Sequence, residues 1–255
     1  MTAKTHESVV TGQFGPRASA YVTSAVHAQG EDLQALAEIV RGQGAARALD
    51  LGCGGGHVSF HVAPHVQEVI AYDLSEEMLA AVRQAAKDRG LSNIMTRQGA
   101  VERLPFEDAS FDFVLSRFSA HHWRDFAAGL REARRVLKPG GTAVFMDAVS
   151  PGQGLLDTYL QAIELLRDPS HFRNYTRAEW RQALTDAGFR PDAGMARKVP
   201  LEFSSWVARI NTPGLHVQAI RSLQGRVSKD VLDYFQTQPD GSFVLDCMSF
   251  VATPA

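Results

Sequence analysis

The 255-residue sequence predicts an α/β fold, a mostly parallel sheet with helices on both faces. Strand-like and helix-like segments alternate as far as Asp147, the pattern of a sheet covered on both sides. The run Ala48-Leu49-Asp50-Leu51-Gly52-Cys53-Gly54-Gly55-Gly56-His57 ends an apolar strand in an acid and a glycine-rich turn, after which a helical pattern resumes. Glycine lets backbone approach a ligand and take positive φ, and the turn after the first strand of such a sheet borders the crevice where nucleotides bind. The length allows one full core, as one domain or as one domain with an inserted cap.

Leu33, Leu36, Ile39 and Val40 recur at helical spacing before that strand. Glu68 to Asp73 reads as the second strand, and Ser75 as the cap of a helix whose first turn carries Glu76 and Glu77, where negative charge is favoured. Leu79, Val82 and Ala86 form that helix's buried stripe. Ile94–Gln98 and Phe111–Ser116 are the third and fourth strands. A helix through Leu130 to Leu137 is stopped by Pro139-Gly140-Gly141, and Thr142–Asp147 is the fifth strand. Beyond it the alternation lapses. Leu155, Tyr159, Ile163 and Leu166 mark a helix, Asp168–Tyr175 a polar loop, and Thr176 the cap of the next helix. Ala196–Phe203 and Ser242–Val251 are β-like, with a helical stretch Trp206–Arg226 between them.

Twenty-six Lys and Arg against 28 acids give a formal charge of -2, without the basic excess of a nucleic-acid surface. The cluster Arg131, Arg134, Arg135 and Lys138 reads as a solvated helix face and C-terminal turn. Cys53 and Cys247 form no CxxC pair, so no disulfide framework or thiolate metal site is expected, and two adjacent histidines without further ligands do not make a metal centre. No apolar run reaches membrane-spanning length and no signal-peptide pattern stands at Met1, so a cytoplasmic location is expected.

The dinucleotide fingerprint wants a third glycine five residues after its first; counted from Gly52 that place is His57, which disfavours a hydride cofactor. Asp73 stands at the spacing at which an acid at the second strand end grips ribose hydroxyls, or else caps the helix at Ser75. Leu74 and Met78 either sandwich an adenine ring or belong to the core.

The strings DLGCGGGH, AYDLSEEML, GAVERLPF, FDFVLSRFSAHHW and LREARRVLKPGG, over roughly residues 45–147, resemble in order the motifs of class I S-adenosylmethionine-dependent methyltransferases. They look most like the branch that includes the ubiquinone and menaquinone C-methyltransferases. The stretch QFGPRASAYVTSAVHAQGEDL is similar to the leader helix that closes over the cofactor in that branch. The resemblance implies a doubly wound, Rossmann-like seven-stranded sheet, mostly parallel with the last strand antiparallel, and helical cap or lid insertions. It divides a single domain into cofactor-covering helices (1–44), a cofactor-binding half (45–147), and lid helices with C-terminal strands (148–255).

It also implies that S-adenosylmethionine lies across Gly52, Cys53, Gly54 and Asp73, with Asp50 ordering the turn or facing the cofactor's ammonium. Where the family commonly has an aspartate for the adenine amino group, this chain has Ala100. Adenine then depends on the Val101 N–H and apolar packing, and Glu102 either restores part of the contact or pairs with Arg103 or Arg97. Losing one such hydrogen bond costs about 0.5–1.5 kcal/mol. In similar enzymes the loop Ser116–Trp123 touches the methionine part and faces the acceptor. That places Ser116, Arg117 and His121 at the site, with Arg117 orienting an acidic acceptor or pairing with a structural acid. His121 is the candidate general base, since imidazole titrates near neutrality. Tyr21 is the second. Phe14, Tyr21 and His27 either cover the sulfonium with aromatic faces or pack an amphipathic helix on the sheet. The loop Ser170–Tyr175 is expected in the lid.

The expected activity is methyl transfer from S-adenosylmethionine, which leaves as S-adenosylhomocysteine, to a small-molecule acceptor at carbon or oxygen rather than nitrogen. The alternatives are a catalytically silent S-adenosylmethionine-binding regulator and, behind it, an NAD(P)-dependent oxidoreductase. No nucleic-acid partner is expected, and a homodimer is compatible with the sequence.

Overall fold

A computed structural model describes residues 4–22 and 30–255. His27 lies outside the described residues. Before the sheet come α1 (His6–Phe14), α2 (Ala18–Val22) and α3 (Glu31–Val40). The sheet then builds through β1 (Arg47–Leu51), α4 (His57–Val62), β2 (Glu68–Asp73), α5 (Glu76–Asp88), β3 (Ile94–Gln98), β4 (Phe111–Arg117), α6 (Phe126–Val136) and β5 (Leu137–Ala148). The cap and last strands are α7 (Gly154–Arg167), α8 (Arg177–Asp186), β6 (Phe189–Pro191), β7 (Met195–Leu201), α9 (Phe203–Ala208), α10 (Gly214–Gln224), α11 (Lys229–Tyr234) and β8 (Phe243–Pro254).

The sheet order is β3-β2-β1-β4-β5-β8-β6, with β7 also on β8. β1 to β5 pair in parallel, and β8 runs antiparallel to β5. The expected seven positions are there, but the seventh is filled by two segments, so the strands number eight. β6 and β7 share one edge of β8 and are separated by a break where Asp192 Oδ1 accepts from the N–H of Gly194 and of Val251. β1 is buried along most of its length because both faces are covered. Leu49, Phe111, Phe145 and Trp180 pack on one face, and Leu36, Val69, Val82 and Leu115 on the other. A third cluster, with Tyr159, Ile163, Trp206 and Phe243, fills the space under the cap.

Several boundaries differ from the sequence reading. α6 ends at Val136 and β5 begins at once, so Pro139-Gly140-Gly141 falls within β5, in the register break between the pairs Phe111–Leu137 and Phe113–Thr142. In α7 the buried stripe is Leu156, Tyr159, Leu160 and Ile163, while Leu155 is exposed, one residue out of the expected phase. Phe203 opens a helix instead of closing β7, because the Glu202 carboxylate accepts from the N–H groups of Ser204 and Ser205 and caps it. The basic cluster is held in structural contacts: Arg135 bridges Glu132 and Asp108, Lys138 binds Asp112, and Arg134 donates to the Gly188 carbonyl. Among the described residues no helix is long and apolar enough to cross a membrane.

Candidate active site

A cavity of about 430 Å³ opens at the C-terminal ends of β1, β2, β4 and β5, between the leader helices and the cap. One end is built by the turn after β1. Gly52 takes φ +66°, and a Cβ there would fall 1.7 Å from Ser119 Oγ, so only glycine fits where the two loops meet. Gly55 meets α2 in the same way, since an added Cβ would sit 2.8 Å from the Tyr21 carbonyl. The Tyr21 oxygen is also within 2.8 Å of His57 Nε2, so His57, which argues against a dinucleotide, ties the leader to the glycine turn.

Asp73 ends β2. Its Oδ2 accepts from the Gly54 N–H and its Oδ1 from the Ser75 N–H, both at 2.9 Å. The carboxylate lines the cavity and can accept more than these two bonds. Ser75 caps α5 with its own hydroxyl, accepting from the Met78 N–H at 3.2 Å, so the Asp73 carboxylate is not needed for that bond. Asp50 is buried under the turn and accepts from the N–H and Oγ of Ser59 in the first turn of α4, at 3.1 and 2.7 Å. Burial pushes the Asp50 carboxyl up to about 7, and burial likewise raises Asp73. Two carboxylates held beside one glycine turn make a place that favours positive charge. Cys53 is buried between them and its thiol is pushed up, first by burial and then by both acids.

Leu74, Met78, Val101 and Glu102 line the same end, and Phe14 and Tyr21 close it from the leader, with their rings edge to face at 5.6 Å. Three expectations are corrected here. Ser116 is not on the cavity: its side chain is buried and donates to the Leu51 carbonyl at 3.1 Å, locking β4 to β1. Ala100 also stands outside it, its carbonyl accepting from the Tyr72 hydroxyl at 3.1 Å. Glu102 pairs with neither Arg97 nor Arg103; its Oε1 accepts from the Asp125 N–H at 3.1 Å, joining this loop to the start of α6.

Toward the cap, His121 sits in the turn after β4. Its Nδ1 lies 2.6 Å from Asp147 Oδ1, and its N–H donates to Oδ2 at 3.3 Å. Asp147 is buried at the end of β5. Burial opposes the imidazolium, but the charge and hydrogen bond of Asp147, helped by Glu164 and Asp168, outweigh it and raise the His121 pKa. Its neighbours behave oppositely. Burial and the adjacent His121 lower His122, and burial pushes His171 down to about 2. The cluster thus concentrates its proton affinity on one ring. The loop Asp168–Tyr175 is polar in composition, yet Asp168, Ser170, His171 and Asn174 are buried: Ser170 donates to Asp168, His171 Nε2 lies 2.9 Å from Gln161 Oε1, and the N–H groups of Phe172 and Arg173 donate to the His121 carbonyl.

Arg117 reaches the cavity, but its guanidinium binds Asp32 at 2.6 Å, and Arg197 from β7 binds the same carboxylate at 2.7 Å. The structural-acid alternative therefore describes its contact. Sequence reasoning missed Asp32, Arg197 and Asp147, which are brought in from distant segments by the sheet order. Among the described residues no group of His, Cys, Asp and Glu is arranged to hold a metal ion.

This geometry has counterparts among known proteins. A family profile described as a methyltransferase domain matches residues 49–145. YafE of Escherichia coli, an uncharacterized protein, is 51% identical over 191 residues, covering 75% of this chain and 92% of its own. YcgJ of Bacillus subtilis, an uncharacterized methyltransferase, is 34% identical over 87% of this chain and 88% of its own. The chain belongs to the class I S-adenosylmethionine-dependent methyltransferases. The crystal structure of YcgJ superposes with a TM-score of 0.84 at 29% identity, covering 88% of this chain and 99% of that one. A demethylmenaquinone methyltransferase of Listeria monocytogenes is 30% identical over 63% of this chain and 69% of its own length. The cofactor of this methyltransferase is S-adenosylmethionine, and neither a silent binding protein nor an oxidoreductase is favoured. The cavity fits that cation: Asp50 is buried beneath the glycine turn, and the half-buried Asp73 carboxylate lines the cavity beside it, an acceptor for a diol.

Proposed function

We propose that this methyltransferase acts in the cytoplasm on a small organic acceptor, at carbon or oxygen, with His121 as its base. The observation that carries this is the His121–Asp147 pair on a cavity that continues to the glycine turn. When bound, S-adenosylmethionine supplies an electrophilic methyl group on a sulfonium. Asp73 would hold the ribose hydroxyls, Leu74 and Met78 the adenine faces, the Val101 N–H an adenine edge, and Asp50 the ammonium side. Phe14 and Tyr21 would turn aromatic faces to the positive charge and keep water out. His121 would take the acceptor's proton at Nε2 while Asp147 holds Nδ1, the arrangement in which one nitrogen is fixed so that the other can act. Tyr21 is the poorer base because burial raises its pKa and keeps its hydroxyl protonated. Positioning acceptor and methyl in one cavity supports a large part of the rate, about 7–11 kcal/mol in well-oriented reactions.

The experiment is calorimetric titration with S-adenosylhomocysteine. Wild type should bind it, and Asp73→Asn should bind roughly ten- to a hundredfold more weakly, the loss of hydrogen bonds to a charged group. Equal affinity in the two proteins would remove Asp73 from the cofactor site.

A further inference from the structure

The cap end of the cavity holds a cation that the reaction chemistry above does not use. Arg209, at the C-terminal end of α9, lines the cavity and is half-buried. The other arginines at this end are engaged. Arg117 and Arg197 share Asp32, and Arg167 donates to the Trp206 carbonyl at 3.0 Å and lies 3.6 Å from Glu164. Arg124 belongs to the opposite end, exposed beside Asp125, whose N–H binds Glu102. The Arg209 guanidinium makes no hydrogen bond or ion pair among the described residues. Burial and the nearby Arg167 lower its pKa, while Tyr21 and Glu164 act in the other direction. A partly buried guanidinium next to a second one, with no carboxylate of its own, is costly unless a ligand supplies the anion.

A second observation lies in the same chamber. Asn174 borders the cavity with a buried side chain, and neither amide atom has a hydrogen-bond partner. Buried amides are almost always bonded, so this one calls for a polar partner that the described residues do not supply. The cavity lining also includes an apolar set, Phe118, Leu201, Trp206 and Leu245.

We propose that the methyl acceptor is an organic carboxylate with an apolar body, its carboxylate seated on Arg209 and its body along Phe118, Leu201, Trp206 and Leu245. Among the described residues at this end one guanidinium is unengaged, which matches a monoanion; Glu164 and Asp168 also line the cavity and disfavour a second negative charge. The planar fork of arginine suits a carboxylate, which it can bind through two parallel N–H bonds. This rests on the methyltransferase reading of the same cavity.

The test uses phenylacetate and phenylacetamide, which share size and ring and differ in charge. Each is titrated calorimetrically into the full chain saturated with S-adenosylhomocysteine. Wild type should prefer phenylacetate by about tenfold or more, the scale of a charged hydrogen bond. Arg209→Gln should erase the preference, Arg209→Lys should restore part of it, and both should bind S-adenosylhomocysteine as wild type does. No preference in wild type, whether both probes bind equally or neither binds, overturns the proposal, as does a preference that survives Arg209→Gln. A tenfold loss of S-adenosylhomocysteine affinity in Arg209→Gln would make Arg209 a ligand of the cofactor's own carboxylate and also overturn it. Failure of wild type to bind S-adenosylhomocysteine would instead defeat the reading on which the proposal rests.

Discussion

Asp147→Asn isolates what holds His121 ready. The ring nitrogen and carboxylate oxygen lie 2.6 Å apart, and Asp147 is buried, so solvent screens the pair little. Asparagine keeps the shape and one acceptor oxygen but loses the charge. A hydrogen bond to a charged group is worth about 1.5–3 kcal/mol and a neutral one about 0.5–1.5, so the imidazolium loses roughly 1–1.5 kcal/mol. That is a factor of about 5–13 in the protonation equilibrium, and burial, which opposes the charged ring, is left less opposed. The assay is a histidine ring titration by nuclear magnetic resonance, with the His121 signal assigned through its loss in His121→Gln. The His121 midpoint should lie above the ordinary histidine value in wild type and move down in Asp147→Asn. His171, pushed down to about 2 by burial, should not titrate near neutrality in either protein. An unchanged midpoint would show that Asp147 does not set the charge of His121 and would refute the positioning argument.

Gly52→Ala should cost the backbone about 1–2 kcal/mol for a side chain in the left-handed region, with a further loss from the clash with Ser119 Oγ. Urea denaturation checks this against Gly152→Ala, where the added methyl meets open space; equal stability of the two variants would contradict the packing described. Asp50 is expected to make the ligand-free protein less stable as pH rises. Its carboxyl is pushed up to about 7 in the fold from an ordinary 3.8, so the folded state binds more protons between those values. Its contribution is therefore full below the unfolded value and lost as pH climbs through 7. The stability difference between wild type and Asp50→Asn, measured across that window, should shift against wild type with rising pH; a flat difference would rule out the buried, protonated Asp50.

The sheet was largely legible because its signals are local. β2 and β3 are runs bounded by their own turns, and Ser75 announces α5 through a cap bond made within three residues. Gly52, Gly54 and Asp73 could be read together because one strand pair brings the two turns side by side. Long-range partners were not legible. Asp147 meets His121 only because β5 lies beside β4, and Asp32 binds Arg117 and Arg197 across 85 and 165 residues. The loop Asp168–Tyr175 read as polar from its composition, but the partners that let Asp168, Ser170 and His171 be buried, Gln161 on α7 among them, leave no local pattern. The phase error at Leu155 came from choosing between two adjacent leucines, which only the packing of α7 under the cap decides.

The most direct test of methyl transfer to a small acceptor is incubation of the protein with S-adenosylmethionine carrying an isotopically labelled methyl group and a metabolite extract, read by mass spectrometry. A labelled small molecule should appear with wild type, fall by about 10²–10⁴-fold with His121→Ala, and show a basic limb near neutrality that the variant lacks. S-adenosylhomocysteine affinity should be nearly unchanged in that variant. If wild type binds S-adenosylhomocysteine yet labels no small molecule, the acceptor assignment is contradicted; if labelling is as fast in His121→Ala, the assignment of the base is.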